Sequence, residues 1–188
     1  MKVLIIIGIV FGSTSLIGQS YWQAGYTGGN IVHPGISLTY VQTVHQSLKL
    51  TRSGDTLHRE LGMGFNAGLV YHKNYNTSAT LLGQISKRRV KGNGNYFAYR
   101  IGLGYMHSWV PNTYVFERGV VKKEVTSLNY IIAEPSIEWG WSLSKSPGFI
   151  EGIYLRPKVQ FSAPYFMGSN QYLMLDLGVF INTKKTAQ

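Results

Sequence analysis

Cysteine is absent from the 188 residues, so neither a disulfide framework nor thiolate chemistry is available to this chain. Charge is sparse: Asp, Glu, Lys and Arg together make up 14%, low for a soluble protein of this size. Acid is sparser still, with 8 Asp+Glu against 18 Lys+Arg and a formal net charge of +10. A basic surface suits anionic partners such as lipid phosphates or nucleic acid. No helix-borne basic patch is present to favour nucleic acid, which is therefore not expected as a partner. No stretch approaches the roughly 18–20 consecutive apolar residues of a spanning helix. The apolar run from Val3 to Phe11 is only nine residues long.

That run has another reading. Lys2 supplies a positive start, Val3–Phe11 an apolar middle, and Gly12, Ser13, Thr14 and Ser15 lead to Gly18-Gln19. This is the layout of a secretory signal peptide, so residues 1–19 are expected to be a leader and residues 20–188 one domain.

What the chain has in quantity is alternation. From Leu57 to Tyr71 the odd positions read Leu57, Arg59, Leu61, Met63, Phe65, Ala67, Leu69, Tyr71, and the even ones His58, Glu60, Gly62, Gly64, Asn66, Gly68. A period of two predicts a strand. Soluble strands usually run about 5–6 residues, whereas a tilted membrane strand needs about 9–11. One side is bulky and apolar; the other is glycine, small and charged. Such a polar set fills a narrow lumen while the bulky set meets lipid. The 22 glycines and 13 tyrosines suit a crowded interior with aromatic girdles.

The pattern recurs. Ile36, Leu38, Tyr40, Val44, Leu48 and Leu50 alternate with Ser37, Thr39, Thr43, His45 and Lys49. Further alternating segments run through Phe97–Trp109, Ile131–Leu143, Phe149–Phe161 and Leu173–Ile181, with a weaker one at Thr77–Arg88. These make seven strands. Single-chain bacterial barrels use an even number, and a short first strand at Tyr21–Tyr26, with Trp22, Ala24 and Tyr26 outward, supplies the eighth. The expected fold is all-β: a closed antiparallel up-and-down eight-stranded transmembrane barrel with a polar, charge-paired interior. Short turns are expected at Thr51–Thr56, Val90–Asn95 and Ser144–Gly148, and longer connections at Thr27–Gly35, His72–Asn76, Pro111–Val125 and Ser162–Asn170. That alternation puts both termini in the periplasm. Aromatic belts are expected at the two ends, from Trp139, Trp141 and Phe149 and from Tyr71, Tyr105, Trp109 and Phe161.

The candidate site is the set of inward charges Arg100, Glu134, Glu138, Arg156, Lys158 and Asp176. Turn pairing sets Glu134 opposite Arg156 or Lys158, and brings Asp176 near the same bases and Arg100 near both glutamates. An eight-stranded barrel has room only for its own side chains, and buried charges must pair. The bland reading is a salt-bridge plug; the sharper ones are acid–base chemistry or weak ion passage. Pro135 and Pro157, on adjacent strands and in the outward set, donate no hydrogen bond. They are expected to face each other, either as bulges or unbonded positions or as a lateral weak point that admits a lipid chain.

His33, His45, His58, His72 and His107 show no pair at metal-ligand spacing on one face, so no metal and no other cofactor is expected. His107-Ser108 invites a hydrolase reading, but adjacent strand residues point to opposite faces. Lys87, Arg88, Arg89 and Lys91 surround one turn, with Lys145, Lys184 and Lys185 at the same end: a solvated rim, or a dock for inner-leaflet phospholipid or an acidic periplasmic partner. Arg118, Lys122 and Lys123 sit in the longest connection, expected to fold as its own small hairpin and to neighbour lipopolysaccharide phosphates.

Three short patterns carry a resemblance: His33-Pro34-Gly35, Gly102-Leu103-Gly104-Tyr105-Met106-His107 leading into Pro111-Asn112-Thr113-Tyr114, and Pro164-Tyr165-Phe166. In these the chain resembles small outer-membrane β-barrel proteins of the OmpA/OmpX size class, most of all those common in Bacteroidota. The resemblance implies fold and outer-membrane location, and no catalytic residues. One departure stands out: Phe180 is followed by Asn182–Gln188, so the chain does not stop at an aromatic after its last strand. The expected function is a non-enzymatic outer-membrane component, structural or an accessory subunit, with outer-membrane lipids and other outer-membrane or periplasmic subunits as partners. The alternatives are a barrel enzyme acting on lipid A acyl groups and a narrow pore.

Overall fold

The structure is a computed structural model, and it describes residues 19–29, 33–50, 56–72, 76–117, 120–143, 150–164 and 171–182. The Val3–Phe11 run, Arg118, Lys145, Phe149, Lys184 and Lys185 lie outside the described residues.

Among the described residues eight strands follow in order: β1 (Ser20–Gly29), β2 (His33–Leu50), β3 (Thr56–His72), β4 (Asn76–Lys91), β5 (Tyr96–Glu117), β6 (Val120–Ser142), β7 (Gly152–Ala163) and β8 (Gln171–Asn182). Each pairs antiparallel with its sequence neighbour. The pairing of β8 with β1 closes a hydrogen-bonded ring. The expected first strand is therefore real and longer than Tyr21–Tyr26.

The ladder is steeply staggered. Paired residues can be followed once around the ring from Gly29 through Met174, Lys158, Ser136, Arg100, Ser86 and Gly62 to Thr43. Thr43 donates its backbone N–H to Gln19, ten residues before Gly29. Closure with such stagger tilts the strands and makes the interior narrow.

Polarity is inverted relative to a soluble core. Leu61, Met63, Leu81, Ile101, Leu103, Leu173 and Leu177 are all exposed, while Glu138 and Asp176 are 0% exposed. Inside lie Gln23, Thr27, Thr39, Asn66, Ser86 and the charges, with small apolar plugs at Leu82, Met106 and Ile132 and at Tyr96, Ala98 and Phe180. Inward glycines make room. A Cβ at Gly140 would fall 2.0 Å from the Tyr96 ring, so only glycine lets that ring lie across β6.

The structure corrects several expectations. A register shift between Thr43 and His45 puts His45 opposite the outward Leu61 and Leu48 opposite His58. An extra residue reverses which way the rest of a strand faces, so Leu48 and Leu50 leave the outward set and His45 and Lys49 join it. The two length classes of connection also disappear. Residues 30–32 and 73–75 are the whole of two supposedly long connections, because Gly28 pairs with Pro34 and His72 with Asn76. Likewise Pro111–Val125 is mostly strand: β5 and β6 run 22 and 23 residues and pair out to Glu117 and Val120, past a register shift at Val110/Thr113. The small hairpin expected here is the end of this long one. The pairing leaves no signal in the sequence because alternation fades where neither face is buried.

Candidate functional site in the charged interior

β5, β6, β7 and β8 each turn even-numbered residues inward, and that brings the six expected charges into one chain. Arg100 Nη2 lies 2.8 Å from Glu138 Oε1. Glu138 Oε2 lies 3.5 Å from Arg156 Nη1. Arg156 donates from Nε and Nη2 to Asp176 Oδ2, at 3.0 and 2.6 Å. Asp176 Oδ1 lies 3.2 Å from Lys158 Nζ, which lies 3.2 Å from Glu134 Oε2. Three cations and three anions therefore alternate along one line. Glu134 meets Lys158 rather than Arg156, and Arg100 meets Glu138 rather than Glu134.

Neutral groups missed by the sequence reading complete the network. Gln23 Nε2, at 2.8 Å, and Tyr96 Oη, at 2.7 Å, both donate to Glu138 Oε1. Asn66 donates to Thr39 Oγ1 at 2.6 Å, and Arg156 Nη2 reaches the same hydroxyl at 3.4 Å. A buried carboxylate needs several donors to offset its lost hydration, and Glu138 has two neutral ones besides its two arginines. Sequence offered only the parity of Gln23 and Thr39 as a clue; the strands they come from are far from β6 and β7 in the chain.

A second pair was misplaced. Arg88, expected on a solvated rim, turns inward. Its guanidinium lies 4.3 Å from the Tyr96 ring centre and 4.7 Å from that of Tyr21, and its Nε is 3.4 Å from Glu60 Oε2. Its parity with Gln84 and Ser86 was the available signal. Glu60, Glu134, Glu138 and Asp176 thus face four bases inside, Arg88, Arg100, Arg156 and Lys158, so the described interior charges balance.

Among the described residues, Glu60, Glu134, Glu138 and Asp176 each lie in a salt bridge with an interior cation. Arg156 is 2% exposed and Asp176 and Tyr154 0%, so solvent does not reach the middle of the ring. The arrangement is suited to holding the wall together.

Pro135 and Pro157 do not face each other. The constant β6–β7 register sets Pro135 opposite Val159 and Pro157 opposite Ile137. Pairing is interrupted on both sides of Ser136↔Lys158 with no shift of register, so this is a gap in the ladder and not a bulge. Missing proline N–H groups account for it.

His33 and His72, thirty-nine positions apart in sequence, stack with ring centres 3.2 Å apart where β2 and β3 end. Spacing along the chain gave no sign of this cross-strand contact. Among the described residues no group of three or more His, Cys, Asp or Glu could hold a metal ion. His107 and Ser108 separate as adjacent strand residues must: His107 Nδ1 meets Asn129 Oδ1 at 2.6 Å, while buried Ser108 bonds Ser78 at 2.9 Å. Lys122 and Lys123 lie exposed on the far part of β6, opposite Val115 and Tyr114.

No family model matches the chain, and neither a curated protein nor a solved structure is significantly similar to it.

Proposed function

We propose that this chain is a non-enzymatic integral outer-membrane β-barrel that stabilises the envelope or serves as an accessory subunit of an outer-membrane complex. One observation carries the reading: a largely apolar exterior wraps an interior whose charges lie in salt bridges. A soluble monomer rarely exposes an apolar patch beyond a few hundred Å², whereas lipid removes the cost of such a surface. The leader-like residues 1–19 supply export, and the three short patterns fit the small Bacteroidota-type barrels they resemble. With an apolar band about 25 Å tall, 22- and 23-residue strands at about 3.3 Å per residue leave the β5–β6 hairpin projecting beyond it. Lys122 and Lys123 then neighbour lipopolysaccharide phosphates on the outer side. Both termini lie at the opposite, periplasmic end.

The enzyme alternative lacks a nucleophile–base dyad at His107-Ser108, and the pore alternative meets a sealed middle. The test is refolding into lipid vesicles followed by planar-bilayer recording and detergent pull-down from native membranes. Insertion without steady conductance, together with a stoichiometric partner, supports the reading. A chain that stays monomeric in water without detergent or lipid refutes it; steady open events would replace it with a pore.

A further inference from the structure

At the periplasmic end the outer surface of β3, β4, β5 and β6 carries a cationic patch beside an aromatic floor. Arg59 on β3 is the direct cross-strand neighbour of Arg89 on β4, and Leu61 that of Lys87. Arg89 in turn pairs with Phe97, and Phe97 with Trp139. Like charges placed directly opposite each other destabilise a sheet. None of the ion pairs among the described residues involves Arg59, Lys87, Arg89 or Lys91. Arg59 Nε is buried and has no hydrogen-bond partner. Glu151 precedes β7, three strands from β4.

The aromatic floor is ordered. The Phe97 ring packs on Tyr99 at 4.8 Å and on Trp139 at 5.7 Å between centres. A groove of about 510 Å³ opens here, lined by Arg89, Lys91, Phe97, Trp139 and Trp141 among others. Cations at one edge and rings below match the two halves of a lipid: a phosphate between two guanidinium groups, and the upper part of an acyl chain against rings at the depth where aromatic side chains collect.

We infer that Arg59 and Arg89, with Lys87 and Lys91, hold the phosphate of an anionic glycerophospholipid of the inner leaflet, its acyl chain lying in the Phe97–Trp139–Trp141 groove. The inference rests on the membrane reading. The bound phosphate supplies the negative charge that the Arg59–Arg89 pair lacks, so lipid and wall stabilise each other.

The test uses the full mature chain refolded into vesicles of mixed phosphatidylglycerol and phosphatidylcholine, released in mild detergent and weighed by native mass spectrometry. The wild-type protein retains phosphatidylglycerol in preference to phosphatidylcholine. Arg59→Gln with Arg89→Gln lowers that retention on the order of tenfold, and Arg59→Lys with Arg89→Lys keeps most of it. Heat-dependent migration on electrophoresis reports folding of each variant; Arg89→Gln alone serves if the double variant does not fold. Equal retention of the two lipids, or unchanged retention in the folded glutamine variant, overturns the inference while the barrel stands. A wild-type chain that does not enter the vesicles overturns the membrane reading and the site with it.

Discussion

Arg100 and Glu138 meet at 2.8 Å inside the ring, although the ladder sets Arg100 opposite Ser136 and Glu138 opposite Ala98. The contact is diagonal, by two residues, and long side chains reach across such offsets. Both residues are almost wholly buried.

Truncating Glu138 to alanine takes the carboxylate from Arg100 and leaves Arg156 with Asp176 alone. The expected loss is about 3–5 kcal/mol, read as a lower urea midpoint for the refolded protein in vesicles. Arg100→Met combined with Glu138→Gln will cost less than the sum of the single changes, because the pair is removed together. Additive losses would show that the two do not interact.

Leu103 is 63% exposed in the middle of β5, and Phe116 is 74% exposed near its far end. Arginine at 103 will destabilise the inserted protein by about 2–4 kcal/mol, whereas arginine at 116, on the projecting hairpin, will cost about 0–1 kcal/mol. Equal and negligible costs at both sites would mean that water surrounds both.

Gly140 and Gly83 separate crowding from glycine content. Alanine at 140 drives a methyl into the Tyr96 ring and so disturbs the hydroxyl that bonds Glu138. A loss of about 1–3 kcal/mol is expected. At Gly83 the nearest atom to an added Cβ is 3.9 Å away, and alanine there will change stability by no more than about 0.5 kcal/mol. Denaturant titration of the two variants in detergent micelles compares them directly.

Pro135→Ala with Pro157→Ala lets the β6–β7 ladder close. A regained hydrogen bond contributes about 0.5–1.5 kcal/mol, and freeing the unfolded chain costs about 0.4–1 kcal/mol per proline, so global stability will barely move. Amide exchange at Ser136, Lys158 and their neighbours will slow. If exchange there is already as slow as across β3–β4, the gap is not a weak point.

Seven of the strands and the facing of Leu61, Glu134 or Lys158 could be read from alternation, since side chains in a strand change sides at every residue; β1 followed from the rule that such barrels use an even number. The same logic failed wherever that count was broken. One extra residue at Thr43/His45 reversed Leu48 and Leu50, and pairing beyond Val110 continued without an amphipathic signal. Arg88 was legible by parity but hidden by its nearness to a turn.

Local periodicity thus determined, from sequence, that the chain forms long two-faced strands and which residues lie on which face, because that depends only on neighbours along the backbone. Which charges touch was decided by closure. The ten-residue stagger of the ring sets heights around the interior, so Gln23 and Tyr96 reach Glu138 and His33 lies on His72. Stagger is a property of the whole circuit of pairings, and no single segment contains it.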